Sequence, residues 1–168
     1  TREFVWSLRG FALMTLCATA GLVRANDGVV GPGNCDQAGF SSVLSTVNGS
    51  GGGIITFNCG TAPVTITLTH YKTISITLTI DGGDRIVFDG GATSAWFSRN
   101  ASARATLKGL TLQRGLFSSV HAIENAGELT VDHVRVISNS GSESPVVNTG
   151  TLDVSSSTLS GNVANDVE

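Results

Sequence analysis

The sequence has few charged, aromatic and proline residues, and these shortages exclude several classes of protein. Charged residues make up 14% of the chain and aromatic residues 6%, and there are only 3 prolines. The net charge of -3 is spread without a block of either sign, which argues against a nucleic-acid footprint and against an acidic tail. Glycine is abundant, with 21 copies, and Ser, Thr and Asn are frequent. This composition favours short strands joined by tight turns over a helix bundle.

Residues 1–25 have the layout of a secretory signal peptide. Arg2 and Arg9 form a basic start, residues 11–23 form an apolar run, and cleavage is predicted after Ala25, before Asn26. The apolar run is shorter than the roughly 20 residues of a membrane span, so a retained anchor is the weaker alternative. We therefore expect a secreted or cell-surface protein with no membrane span in its mature part.

The predicted mature part keeps two of the three cysteines, Cys35 and Cys59. Two cysteines in an oxidising compartment usually pair, so we predict a disulfide. It closes a loop of about 25 residues, which is worth roughly 3 kcal/mol on the loop-entropy model. A metal site or a thiol nucleophile would need further ligands or a histidine partner nearby, and neither pattern is visible.

Between the two cysteines, a single apolar stripe predicts a short amphipathic helix. Its residues follow i, i+3, i+4, i+7 spacing: Phe40, Val43, Leu44 and Val47. Asn34 or Asp36 can serve as the N-cap, and Asn48–Gly49 supplies the stop. Such a helix can cover the open core and the unpaired strand edge at the end of a solenoid. We assign residues 26–60 to this N-terminal cap.

From Ile54 onward the apolar period changes to two, which indicates half-buried strands. Two alternating runs cover residues 64–68 and 74–80, and a bend is predicted at His70–Lys72 where the alternation lapses. Turns are predicted at Asp81–Asp84 and Asp89–Gly91, because Asp and Gly tolerate the backbone of tight turns. These turns bracket a short predicted strand over residues 85–88.

A repeat then dominates the sequence. Ala105, Leu107, Leu110 and Leu112 recur as Leu129, Val131, Val134 and Val136, and again as Leu152, Val154, Ser157 and Leu159. Gly115, Asn139 and Asn162 follow the copies, and Asn125 and Asn148 precede the last two. A period of 23–24 residues predicts one turn of a solenoid, with repeated apolar residues stacked in the interior and asparagines stacked between coils. We assign residues 61–168 to these coils and expect the solenoid to be cut short at its C-terminus.

Three stretches carry a resemblance to a known family: residues 52–57, residues 78–83 and residues 128–131. They resemble the repeats of pectin-lyase-like proteins, especially bacterial surface proteins of the polymorphic-outer-membrane-protein type. In some relatives a Cys followed by a Leu-Arg-Glu-Ala helix precedes the first strand; here Cys35 and the helix are in place without those four residues. The resemblance implies an all-β fold, a right-handed parallel β-helix (solenoid) with a short N-terminal capping helix.

Some members of that superfamily cleave acidic polysaccharides with clustered carboxylates and a basic residue. The candidates here are Asp81, Asp84, Asp89, Asp132 and Asp153, with Arg85, Arg99, Arg104 and Arg114. Turn formation accounts for the first three aspartates and solvent exposure for the last two. His70, His121 and His133 show no metal-binding spacing, and Trp96–Phe97 either stacks on a sugar or packs at a coil edge. We therefore assign no catalytic, cofactor-binding or metal residue.

These observations support a structural or adhesive role, with carbohydrate or another cell-surface ligand as the partner of a monomeric protein. One alternative is the N-terminal part of a polysaccharide lyase or glycoside hydrolase of the pectin-lyase-like fold. Another is the passenger region of an outer-membrane autotransporter, which a downstream barrel of alternating strands would support.

Overall fold

The computed structural model describes residues 26–92, 97–99, 103–117, 123–142, 144 and 146–164. It is a parallel β-solenoid of about 5 turns, 53% strand, with a single short helix near the N-terminus. The predicted all-β solenoid with a capping helix is thus confirmed. The predicted signal peptide, residues 1–25, lies outside the described residues. Within them, no helix is both long and apolar enough to cross a membrane.

The helix and strands follow one another with short connections. In chain order they are β1 (Gly28–Val30), α1 (Gln37–Gly49), β2 (Gly53–Phe57), β3 (Val64–Thr67), β4 (Lys72–Ile74), β5 (Leu78–Asp89), β6 (Phe97–Arg99), β7 (Arg104–Gln113), β8 (Leu116–Phe117), β9 (Ile123–Asn125), β10 (Glu128–Asp132), β11 (Arg135–Ile137), β12 (Ser140–Gly141), β13 (Val146–Asn148), β14 (Thr151–Ser155), β15 (Thr158–Ser160) and β16 (Val163–Ala164).

The strands form three parallel sheets that wrap around one core. The main sheet has the order β1-β2-β5-β7-β10-β14, and its second arm contains β3, the later parts of β5 and β7, β11 and β15. The other sheets have the orders β4-β6-β9-β13 and β16-β12-β8. Each strand pairs with its counterpart one coil away, which is the arrangement that a sequence period in the low twenties requires.

The repeated apolar residues stack in continuous columns, as predicted. Strand register aligns Leu78 with Ala105, Leu129 and Leu152, and it aligns Ile80 with Leu107, Val131 and Val154. A third column on the second arm contains Phe88, Leu112, Val136 and Leu159. Fully burying each such side chain contributes about 1.5–3 kcal/mol. In the last described coil, which has a described neighbour on one side only, Val154 and Leu159 are 47% and 53% exposed.

Asparagine ladders satisfy the bent backbone between strands, which confirms the predicted stacking of amides. The buried Asn139 side chain accepts from the Gly115 N–H at 2.8 Å and donates to the Leu112 carbonyl at 3.2 Å. It also donates to Asn162 Oδ1 in the next coil at 2.9 Å. Asn125 and Asn148 form the equivalent pair at another corner. These side-chain amides replace water as hydrogen-bond partners of buried backbone groups. A buried backbone group without a partner would cost about 1–3 kcal/mol.

The helix covers the first coil as predicted, and Asp36 is its N-cap. The Asp36 carboxylate accepts from the Gly39 N–H at 2.8 Å, the standard geometry of an N-terminal cap. The buried face packs on the coil below through Phe40, Leu44 and Val47. The helix also bonds to the coil through Asn48 Nδ2, which donates to the Thr73 carbonyl at 3.0 Å.

An aromatic cluster joins this cap to the coils. The Phe88 ring centroid lies 4.8 Å from that of Phe40, 6.1 Å from that of Phe57 and 6.0 Å from that of Phe97. Phe97 is buried, so packing accounts for this residue, whereas its neighbour Trp96 lies outside the described residues. Aromatic pairs at these separations add about 0.5–1.5 kcal/mol beyond their burial.

The predicted disulfide between Cys35 and Cys59 is present, with 5.8 Å between the two Cα atoms. Cys35 lies just before α1 and Cys59 just after β2, so the bond ties the capping helix to the first coil. Both cysteines are half-buried against the hydrophobic core.

Two local predictions need correction. The bend between Thr67 and Lys72 is present, but the run of alternating residues 74–80 is not one strand, because β4 ends at Ile74 and the chain bends before β5 begins. The second correction concerns residues 81–84, where β5 continues through the predicted turn. Its register against β7 shifts between Asp81 and Ile86. Four residues therefore bulge opposite the single Gly109, and the strand pairs again on the second arm.

Residues in the left-handed conformation turn the chain at corresponding corners of successive coils. Gly109, His133 and Ser156 have φ of +56°, +52° and +48° at the corner between the two arms of the main sheet. Non-glycine residues lose roughly 1–2 kcal/mol in this conformation. Cross-coil bonds offset the loss; the His133 N–H, for example, donates to the Ser155 carbonyl at 3.2 Å.

Candidate functional site

The outer face of the main sheet carries a column of threonines, one from each of three successive coils. Thr79 aligns with Thr106, and Thr106 aligns with Thr130. All three are half-buried. Because neighbouring strands lie about 4.8 Å apart, the column repeats a hydroxyl at that interval along the solenoid axis. We call these three residues the threonine column.

A charged column runs beside the threonine column, two residues further along each strand. It consists of Asp81, Lys108, Asp132 and Ser155, which are aligned from coil to coil. Lys108 Nζ lies 3.8 Å from Asp81 Oδ2. Ser155 Oγ donates to Asp132 Oδ1 at 2.9 Å. Charges of opposite sign therefore alternate along the column and partly compensate one another.

A shallow groove lies where the charged column meets the left-handed corners. It has a volume of about 290 Å³ and is lined by Asp81, Gly83, Asp84, Lys108, Gly109 and His133. The bulge of β5 forms one wall. A Cβ atom on Gly109 would lie 2.7 Å from the Asp84 N atom, so glycine is what lets the bulge pack this closely. The groove thus depends on Gly109 in one coil and on the four-residue bulge of β5 in the coil before it.

A second, smaller cavity of about 200 Å³ lies on the other side of Asp81, towards the disulfide. Thr56, Cys59 and Arg85 are among its lining residues. Arg85 Nη1 donates to the Gly60 carbonyl at 3.4 Å. This cation therefore lies against the loop after β2.

Ser155 and Asp132 of the charged column lie together with His133. Their hydrogen bonds do not follow the serine–histidine–carboxylate order that activates a serine nucleophile. His133 Nδ1 and Ser155 Oγ both contact Asp132 Oδ1, at 2.8 and 2.9 Å. A catalytic triad places the histidine between the serine and the carboxylate. The hydrogen bonds from Ser155 and His133 hold the pKa of Asp132 below its usual value. This carboxylate stays ionised at neutral pH and is suited to accepting hydrogen bonds.

Asp89 is separate from the groove and is the buried member of an ion pair. Its side chain is 1% exposed and contacts the Arg114 guanidinium. Asp89 Oδ2 accepts from Arg114 Nε at 2.8 Å and Gln113 Nε2 at 3.0 Å, and Oδ1 accepts from the Gly91 N–H at 2.8 Å. Burial raises the pKa of Asp89, but these hydrogen bonds outweigh it and hold the pKa below its usual value.

Acid is therefore expected to remove the stabilisation that Asp89 provides. Because the pKa of Asp89 is lower in the folded than in the unfolded state, its contribution is present above the ordinary value of about 3.9 and is lost as the pH falls through the folded-state value. We expect the Tm of Asp89→Asn to fall less steeply than that of the wild type between about pH 4 and about pH 2. Calorimetry across this pH range measures the Tm of both proteins. A parallel dependence of Tm on pH in the variant and the wild type would contradict the expectation.

The structure brings together some of the carboxylates that the sequence offers. Asp81 and Asp84 line the groove, and Asp132 adjoins it through its contact with His133. Asp153 lies beside Thr130 in the next coil, where it takes the place of a further threonine in the threonine column. Among the described residues, no group of three or more His, Cys, Asp or Glu side chains is arranged to hold a metal ion.

Sequence reasoning missed three features of this region. Asp89 does form the predicted turn, but its ion pair with Arg114 was not predicted. The sequence predicts a solvent-exposed Asp132 and an isolated His133, yet the two side chains contact each other. His70 contacts Thr69 Oγ1 at 2.9 Å. For the Asp89–Arg114 pair, the separation of 25 residues, close to the coil length, was the available signal, whereas the other two contacts join adjacent residues.

No family model, no curated protein and no solved structure matches this chain. Membership of the pectin-lyase-like family therefore stays a prediction from the short motifs, whereas the parallel β-solenoid itself is present in the structure.

Proposed function

We propose that this chain is an exported structural or adhesive β-solenoid that contacts carbohydrate through the outer face of its main sheet. The observation that carries the proposal is the threonine column, flanked by the charged column and opening into the groove. Hydroxyls and carboxylates at a spacing of about 4.8 Å offer a regular series of donors and acceptors to a polymer that is itself rich in hydroxyls.

Export is supported by two independent features. The predicted signal peptide supplies a route out of the cytoplasm, and the disulfide Cys35–Cys59 is typical of a protein that resides in an oxidising compartment. A solenoid cross-linked by a disulfide suits a protein that must hold its shape outside the cell.

Asp132 is unsuited to the proton-donating role in glycoside hydrolysis. A hydrolase needs one carboxyl group with a raised pKa to protonate the leaving group. The pKa of Asp132, beside the groove, is lowered instead. Lys108, the lysine of the groove, lies beside Asp81 and so is partly neutralised.

The proposal is tested by measuring glycan binding with a hydroxyl removed from the face. Thr106→Val keeps the shape of a β-branched side chain while deleting the central hydroxyl of the threonine column. We expect about tenfold weaker binding, the effect of losing one hydrogen bond of about 1.4 kcal/mol. Biolayer interferometry on immobilised neutral polysaccharides measures it.

Thr65→Val is the matched control, because Thr65 is an exposed strand threonine on the second arm, away from the groove. It is expected to bind like the wild type. Equal losses in the two variants, or no binding of the wild-type protein to any glycan, would refute the proposed carbohydrate face.

A further inference from the structure

We propose that this face selects uncharged glycans and rejects carboxylated ones, an inference that rests on the proposed carbohydrate contact and specifies its ligand class. The basis is the arrangement of charge on the face. A sugar carboxylate needs a cation to receive it, and the basic residues that line the groove, Lys108 and His133, already lie against protein carboxylates.

Three basic side chains of this face lie against acidic ones, whereas Arg85, which lines the second cavity, donates to the Gly60 carbonyl. Lys108 lies 3.8 Å from Asp81, and Arg104 Nη2 lies 3.0 Å from Glu128 Oε1. His133 contacts Asp132 at 2.8 Å. An incoming carboxylate would therefore meet cations whose charge a neighbouring protein carboxylate already offsets in part.

The remaining charge at the groove is negative. Asp81 and Asp84 line it together with a single lysine, Lys108, and Asp132 adjoins it through His133. Carboxylates thus outnumber the lysine at the groove. Like charges in a shallow groove repel an acidic polymer, and salt screens that repulsion.

The same groups suit neutral hydroxyls. The carboxylate oxygens of Asp81, Asp84 and Asp132 accept hydrogen bonds, and sugar hydroxyls can donate them. The hydroxyls of the threonine column both donate and accept, so they can match either role of a sugar hydroxyl. An uncharged glycan would gain these bonds without the electrostatic cost that a uronate would incur.

The test compares two polymers with one backbone: highly methyl-esterified polygalacturonan and the same preparation after de-esterification, with neutral galactan as a third probe. At low ionic strength we expect at least tenfold tighter binding to the esterified polymer. The preference is expected to shrink in 0.5 M salt, where the screening length is only a few ångströms, about 3–5 Å.

A variant that neutralises the groove keeps the test specific. Asp81→Asn combined with Asp84→Asn removes two negative charges and frees Lys108, and asparagine tolerates the positive φ of residue 84. This variant is expected to bind de-esterified polymer more tightly than the wild type does. Glu124→Gln, an exposed change on β9 in a different sheet, is the matched control and is expected to leave the preference unchanged.

The outcomes separate this inference from the proposed function. Equal or tighter binding of the wild type to the de-esterified polymer would overturn the inference and leave carbohydrate contact standing. Failure of the wild type to bind either polymer or the galactan would refute the carbohydrate face itself, and the inference with it.

Discussion

Phe88→Ala is expected to lower the free energy of unfolding by about 3–5 kcal/mol, the range for truncating a buried aromatic. The Phe88 ring is fully buried and contacts Phe40 of the capping helix, Phe57 of the first coil and Phe97 of the next sheet. Loss of the Phe88 ring would open a cavity between the capping helix and the coils. Relaxation around such a cavity is limited, because the three neighbouring rings are held by different elements.

Chemical denaturation followed by far-ultraviolet circular dichroism measures this effect. Tyr71→Ala is the matched control, since it also removes an aromatic ring but from a residue that is 56% exposed. Surface changes of this kind usually stay within about 0.5 kcal/mol. A Phe88→Ala loss no larger than that of Tyr71→Ala would contradict the role of the aromatic cluster.

Replacing both Cys35 and Cys59 by serine is expected to lower stability by roughly 3 kcal/mol. The physical reason is that the disulfide shortens the free loop of the unfolded chain, and in the folded state it ties the helix segment to the first coil. For a chain of this size the loss corresponds to a fall in Tm of roughly 10 °C.

Thermal unfolding of the purified, oxidised protein, without and with reductant, checks this expectation. Reductant is expected to lower the Tm of the wild type towards that of the double variant and to leave the variant unchanged. An unchanged Tm of the double variant under non-reducing conditions would show that the bond contributes little to stability.

Much of the fold could be predicted from the sequence because each coil repeats the same physical requirement. An interior position must be apolar in every coil, so Leu107, Val131 and Val154 reveal their alignment by spacing alone. A buried corner must satisfy its backbone in every coil, so Asn139 and Asn162 recur in the same way. Burial and hydrogen bonding constrain residue type strongly, and strong constraints are visible in one sequence.

The outer face could not be predicted, because exposed positions tolerate many residue types. The charged column joins Asp81 and Lys108 across a bulge that changes the coil length, so a fixed period does not align them. The left-handed corner at His133 carries no local signal either, because its conformation is imposed by bonds to the next coil rather than by its own preference. Cross-coil register is the information that was missing.

The way each coil pairs only with its immediate neighbours has a consequence for how such a protein changes over generations. Ala105 aligns with Leu129 and Leu129 with Leu152, so one coil corresponds to a stretch of 23–24 residues. An in-frame duplication or loss of one such stretch adds or removes a complete layer and leaves every other layer with an equivalent neighbour. Selection can therefore adjust the length of the molecule by gaining or losing such a stretch, because each layer presents the same strand register to its neighbours.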